Sequence, residues 1–296
     1  MTEPRTRHVH CLDSRGLHRM VYREWGEPDN PRVLVCVHGL TRQGRDFDVL
    51  ASAMSDRYRV LCPDVAGRGE SDWLADPMAY ALPTYVADLV TLLARSGAEQ
   101  VDWFGTSMGG LIGLGVASLA GREGQSLVRR LVLNDIGPAI RVEAVQRIGS
   151  YLGLPQRFAT VEEGAAYLRV VSAGFGPHTD ADWLALSRPQ LKQVHDGAGS
   201  AWTMRYDPAI ALPFKAVTPE LAAIGEAMLW QRYDALRCPT LLIRGAESDL
   251  LTATTAREMT QRGPRARLLE LPGIGHAPTL VAPDQVQAVR DFLLEG

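Results

Sequence analysis

The sequence predicts an α/β architecture: a mostly parallel sheet with helices on both faces and a helical lid inserted into it. Three observations predict it. Short runs that are apolar on both faces recur along the chain and stop at glycine, proline or a polar pair, and such runs belong in the middle of a parallel sheet. Helical patterns lie between these runs, so strand alternates with helix and the crossovers are right-handed. The alternation then breaks between about Pro138 and Tyr233, where only helical patterns and turns are found.

The elements follow in order. Val33 to Val37 is a strand ending at His38-Gly39, and Phe47 to Met54 is an amphipathic helix. Arg59 to Cys62 repeats the strand pattern and stops at Pro63-Asp64. Tyr85 to Ala94 carries apolar residues at helical spacing. Gln100 to Phe104 is a strand stopping at Gly105, and Leu111 to Leu119 is a helix of small and apolar residues. Leu131 to Leu133 ends at Asn134-Asp135. The break that follows has turns at Gly174-Phe-Gly-Pro177 and Asp196-Gly-Ala-Gly199 and no strand of the sheet type, which is the pattern of a lid over the active edge. The chain then resumes with strands at Thr240 to Ile243 and Ala266 to Leu271, and helices at Thr255 to Gln261 and Gln285 to Leu294. The expected division is therefore 1–137 and 234–296 for the two parts of the core, with 138–233 as the helical cap. In such a sheet, ligands collect at the carboxyl ends of the strands.

Composition excludes several classes. With 296 residues, 46% hydrophobic and 22% charged, the chain is neither disordered, collagen-like nor a disulfide-stapled miniprotein. A net charge of −3, with basic residues that are nearly all arginine and form no stripe, argues against a nucleic-acid partner. Cys11, Cys36, Cys62 and Cys238 lack metal-ligand spacing, so no metal is expected. No apolar stretch is long enough to span a bilayer, and Met1 to Asp13 lacks the apolar core of a secretory signal. The expectation is a reduced, cytoplasmic protein without a membrane partner. Nothing in the pattern sets an oligomeric state.

The most informative segment is Gln100-Val-Asp-Trp-Phe-Gly-Thr-Ser-Met-Gly-Gly110. Gly105-x-Ser107-x-Gly109 lies between a buried strand and a small-residue helix. A strand-to-helix turn this tight strains the central residue and leaves no room for a Cβ two residues away on either side. Ser107 at its apex is the candidate nucleophile.

A serine hydroxyl needs a base, and the base needs an acid. Of seven histidines, His8, His10 and His18 fall in a polar N-terminal segment where solvation is expected, and His178 and His195 fall in the cap. His38 is suited to ordering the loop it opens. His276 directly follows the last strand and precedes the closing helix, which places it to reach back over the elbow. Three aspartates stand at strand ends: Asp64, Asp135 and Asp249. Asp249 follows the strand next to the one leading to His276 and is the expected acid, with Asp135 the serious rival. Asp64 sits in a glycine-rich turn and is expected to hydrogen-bond its own loop. The developing oxyanion needs preset donors. The Met108 amide, at the start of the helix, and the Leu40 amide, in His38-Gly-Leu-Thr41, are the candidates. Trp103 reads as core, whereas Trp202 is the candidate for lining an acyl pocket under the cap.

With the elbow, the His38-Gly39 loop, and nucleophile, Asp249 and His276 following in that chain order, the sequence resembles the α/β-hydrolase superfamily over nearly its whole length apart from the cap. Asp64-x-x-Gly67-x-Gly69-x-Ser71 looks like the family's loop after its fourth strand. The resemblance implies an eight-stranded sheet, a cap inserted after the sixth strand, and cofactor-free hydrolysis through a covalent intermediate. Ser107 stands where haloalkane dehalogenases and epoxide hydrolases carry aspartate. Met108 and His38-Gly-Leu-Thr-Arg42 depart from the pattern of prolyl iminopeptidases.

The leading expectation is hydrolysis of a small-molecule carboxylic ester, lactones included, with small to medium acyl groups. A carbon–carbon bond hydrolase of ring-fission diketones is the alternative, and it calls for a cation in the cap, such as Arg205 or Arg141, or for Arg42 or Arg45 near the chemistry. A non-catalytic binding protein is a third reading, which the intact set of candidate residues disfavours.

Overall fold

A computed structural model describes residues 3–121, 124–197 and 199–295. Its main sheet has eight strands in the order β1 (Arg5–Asp13), β2 (Gly16–Trp25), β4 (Arg59–Pro63), β3 (Val33–Val37), β5 (Val101–Thr106), β6 (Val128–Asn134), β9 (Thr240–Gly245) and β10 (Arg267–Leu271). Every pairing from β4 to β10 is parallel. Five of the six strands read from the sequence therefore form the centre of the sheet, as expected of runs apolar on both faces, whereas the sixth, β10, is an edge strand in which only Leu271 is buried.

Alternation along β5 divides the core into two layers. Trp103 is fully buried on one face, in the cluster that includes Leu89 and Leu92 of α2 (Leu82–Ser96) and Ile112 of α3 (Met108–Ala117). Phe104 is buried on the other face with Leu50 and Met54 of α1 (Asp48–Met54) and Val289 and Phe292 of α10 (Pro283–Leu294). All four cysteines are free and buried, packing as small hydrophobes. No helix among the described residues is long and apolar enough to cross a membrane.

Two features depart from the sequence reading. The N-terminal segment is an antiparallel hairpin, β1 and β2, which joins the sheet edge through β2 and β4. In β1 only Val9 and Cys11 turn inward, so the strand shows period-two alternation instead of a continuous apolar run. That hairpin also buries His18, expected in solvent, whose Nε2 lies 2.9 Å from Asp88 Oδ2 of α2. His8 and His10 stay exposed.

The second departure lies between β6 and β9. This segment holds α4 (Val142–Tyr151), α5 (Val161–Val171), α6 (Asp180–Ser187), α7 (Ala211–Lys215) and α8 (Pro219–Ala235), but also a two-stranded hairpin, β7 (Leu191–Asp196) and β8 (Gly199–Met204). The turn at residues 196–199 closes that hairpin, and Ala198 within it lies outside the described residues. An isolated pair of mixed strands has no apolar run to announce it.

Candidate active site

The elbow has the predicted geometry. Ser107 sits between β5 and α3 at φ 52° and ψ −118°. A Cβ on Gly105 would stand 2.3 Å from the Gly109 carbonyl oxygen, and one on Gly109 would stand 2.0 Å from that of Val37. Both glycines are therefore required by close backbone approach, and the strain falls on the serine.

The Ser107 hydroxyl lies 3.0 Å from His276 Nε2, and His276 Nδ1 lies 2.8 Å from Asp135 Oδ2. A carboxylate only accepts, so Nδ1 carries the proton and Nε2 is left to accept from Ser107. Asp135 is fully buried and leaves β6 at φ 55°. That left-handed conformation costs roughly 1–2 kcal/mol in a residue with a Cβ. It turns the carboxylate toward a set of donors: the Gly245 N–H donates to Oδ1 at 2.9 Å and the Ser248 hydroxyl to Oδ2 at 2.6 Å.

Asp249, the acid expected from the sequence, is not in this set. The chain after β9 folds back on Ser248, whose hydroxyl also accepts from the N–H groups of Leu250 and Leu251. Ser248, Leu250 and Leu251 are buried, and Asp249 between them points outward. There it forms a two-point pair with Arg147 of α4, Nε to Oδ2 at 2.7 Å and Nη2 to Oδ1 at 3.1 Å. The rival, Asp135, holds the imidazole instead.

The Gly39-Leu40 loop packs on Ser107: a Cβ on Gly39 would lie 3.7 Å from Ser107 Cβ. His38 orders this loop as expected. The Val65 N–H donates to its Nε2 at 2.9 Å, so its Nδ1–H donates to the Gly39 carbonyl at 2.7 Å. Complete burial depresses its pKa to about 3, keeping it neutral. Arg68, which the sequence reading passed over, is also fully buried. Its Nε donates to the Leu40 carbonyl at 2.8 Å, Nη1 to Ala66 O and to the Tyr85 hydroxyl, and Nη2 reaches Met108 Sδ at 3.8 Å. One side chain thus ties the Leu40 loop to the start of α3; the motif around Gly67 and Gly69 was the only signal for it. Asp64 accepts from the N–H groups of Gly44 and Glu70, bridging its own turn to the loop after β3, and burial raises its pKa to about 6.

A cavity opens above Ser107. Its floor includes Leu40 and His276, and its walls come from the inserted segment through Ile148, Tyr151, Val171 and Phe175. Trp202 is not among the lining residues. It belongs to β8, where its backbone pairs in both directions with Phe158, and its ring packs against the apolar core. Of the arginines considered as cap cations, Arg205 is tied to Leu191 O and Glu70, and Arg141 to Glu143. Arg42 lines the cavity but is nearly buried and paired with Asp46 at 2.7 and 2.8 Å, with Nη2 also donating to the Leu186 carbonyl. Arg147 lines it as well, and the sequence reading did not consider it.

Away from the cavity, Cys11, His18 and Asp88 bring three potential ligand atoms within 4.8 Å of one another. Their chemistry opposes metal binding. Burial pushes the Cys11 thiol up to about 12, so it keeps its proton, and the His18 Nε2 is already engaged by Asp88 Oδ2 at 2.9 Å. The group is a buried hydrogen-bonded contact tying the N-terminal hairpin to α2.

Comparison with known proteins agrees with this architecture. The family model described as the alpha/beta hydrolase fold matches residues 32–283. The chain is 55% identical to the 3-hydroxybutyrate-oligomer hydrolase of Cupriavidus necator, over 98% of this chain and 97% of that protein. A solved α/β hydrolase from Novosphingobium aromaticivorans is 36% identical and superposes with a TM-score of 0.82 over 99% of both chains. A putative hydrolase from Rickettsia typhi superposes at 0.85 with 28% identity, again over 99% of both. Fold, elbow and relatives converge, and the chain belongs to the α/β-hydrolase family.

Proposed function

We propose that this chain is a serine ester hydrolase in which Ser107 is the nucleophile, His276 the general base and Asp135 the acid that orients it. The observation that carries the reading is the unbroken hydrogen-bond chain from Ser107 Oγ through His276 to Asp135, opening into a cavity. Ser107 attacks the acyl carbonyl while His276 Nε2 takes its proton. Asp135 stabilises the imidazolium as it forms. The backbone N–H groups of Leu40 and Met108 receive the oxyanion, in positions held by Arg68. The imidazolium then gives its proton to the leaving alkoxide. A water deprotonated by His276 attacks the acyl-enzyme and releases the acid.

The substrate is a carboxylic ester with a small to medium acyl group, and the likeness to the Cupriavidus necator enzyme supports short oligoesters of 3-hydroxy acids. Residues 138–233 act as the cap, and their apolar side chains Ile148, Val171 and Phe175 set the acyl size.

The test is hydrolysis of p-nitrophenyl esters from acetate to decanoate, and of a 3-hydroxybutyrate trimer, by the wild type and by Ser107→Ala. The wild type should cleave the short and middle esters and the trimer, and the variant should lose at least about a thousandfold in kcat. Activity retained in Ser107→Ala, or none toward any ester by folded wild type, refutes the reading.

A further inference from the structure

The cavity wall carries one charged device that the reaction as written does not use. Arg147, on α4, lines the cavity beside Ile148 and Tyr151, and its guanidinium is held from outside by Asp249. Both partners are open to water, with side chains 42% and 47% exposed. The Tyr151 phenol is close enough that it and the guanidinium shift one another's ionisation. Asp249 engages Nε and Nη2, and the Tyr151 hydroxyl bonds the same guanidinium, whose five N–H groups still leave donors to spare. The contrast with Arg42 is instructive. That guanidinium engages its acid through the same two nitrogens but is nearly buried, enclosed by Asp46, the Leu186 carbonyl and the face of the Phe175 ring, so its acid is not open to exchange.

A planar guanidinium matches a carboxylate at two points. A salt bridge this exposed is also weak, so an incoming anion can share or replace its acid. We infer that Arg147 is the recognition site for a free carboxylate on the substrate, with Asp249 an exchangeable counter-ion that holds the guanidinium at the cavity wall until substrate arrives. This deepens the ester-hydrolase reading and rests on it. An ester joining two 3-hydroxy acids has a free carboxylate on its alcohol part, so the group that Arg147 holds departs with the leaving alcohol. The charge thereby selects acid-terminated oligoesters over neutral esters of the same acyl group.

The experiment compares kcat/KM for a 3-hydroxybutyrate dimer bearing its free carboxylate with that for the methyl ester of the same dimer. It uses the wild type, Arg147→Gln, Arg147→Lys and Asp249→Asn. The ratio of acid to methyl ester should fall about tenfold in Arg147→Gln, through KM for the acid, as expected for loss of one charge-assisted contact. It should recover in part in Arg147→Lys, which restores the charge without the fork. In Asp249→Asn it should rise, because the competing anion is gone. Added salt should raise KM for the acid more than for the methyl ester in the wild type. A ratio unchanged by Arg147→Gln overturns the inference and leaves the ester-hydrolase reading intact. So does a ratio that falls alike in Asp249→Asn and Arg147→Gln, the signature of a brace between α4 and the loop after β9. Failure of the wild type to cleave either dimer sinks the underlying reading instead.

Discussion

Two carboxylates stand at the ends of neighbouring strands and meet opposite fates. Asp135, after β6, is fully buried, bent into a left-handed conformation, and held by the Gly245 N–H, the Ser248 hydroxyl and His276. Asp249, after β9, faces water and pairs with an arginine from α4. The loop that was expected to contribute the acid contributes instead the donors that position it. The role of an acid is thus decided by which strand end turns toward the imidazole, not by which precedes the histidine in sequence. Burial makes the difference consequential: a carboxylate enclosed by three donors keeps a fixed orientation, whereas one in solvent is free to exchange partners.

The sharpest way to break this comparison is to neutralise each acid in turn. Asp135→Asn should lower kcat toward a neutral ester by about a thousandfold or more, because an amide cannot both hold the productive tautomer and stabilise the imidazolium. Asp249→Asn should lower it by less than about tenfold, since only an exposed pair is lost. If the two effects are reversed in size, the assignment of the acid is wrong.

A smaller effect probes the support from the β9 loop. Ser248→Ala removes the hydroxyl that donates to Asp135 Oδ2 and should reduce kcat about tenfold, the usual worth of a hydrogen bond to a charged group. In an Asp135→Asn background the same change should have little further effect, since the two residues act as a unit. Additive losses in the double variant would show that Ser248 works elsewhere.

The smallest effect at neutral pH comes from the pair of histidines, one lodged in the core and one at the cavity. His38 has a pKa depressed to about 3 by burial, far below the ordinary histidine value of about 6.5. The unfolded chain therefore takes up a proton that the native state refuses. Stability from this group is fully present above about pH 6.5 and is lost as pH falls toward 3, at about 1.4 kcal/mol per pH unit. Urea unfolding between pH 7 and 5 should show this slope, and His38→Gln should reduce it. An equal slope in the variant would assign the acid sensitivity to other groups.

Much of this molecule was legible in one dimension. Val33 to Val37 and Thr240 to Ile243 announced buried strands because both of their faces are apolar, and Trp103 fell in the core for the same reason. The N-terminal hairpin and the β7–β8 pair were not legible, since their alternation is mixed with charge and their partners lie outside the local window. Arg68 was missed because an arginine in a glycine-rich turn reads as solvated until the fold closes around it. Trp202 was misplaced because aromatic identity says nothing about which side of a hairpin faces a cavity.

The sequence by itself determined the order of the parallel strands and the helices between them, the elbow with Ser107 at its apex, and the histidine that reaches it. Each of these depends on contacts within a few residues or on periodicity along one element. Only the tertiary structure decided which acid holds His276, which arginines line the cavity and what else forms its walls. Those outcomes turn on the directions in which loops far apart in the chain leave their strands. A single φ angle at Asp135 and the backward fold at Ser248 set the choice of acid, and neither is written in residue type alone.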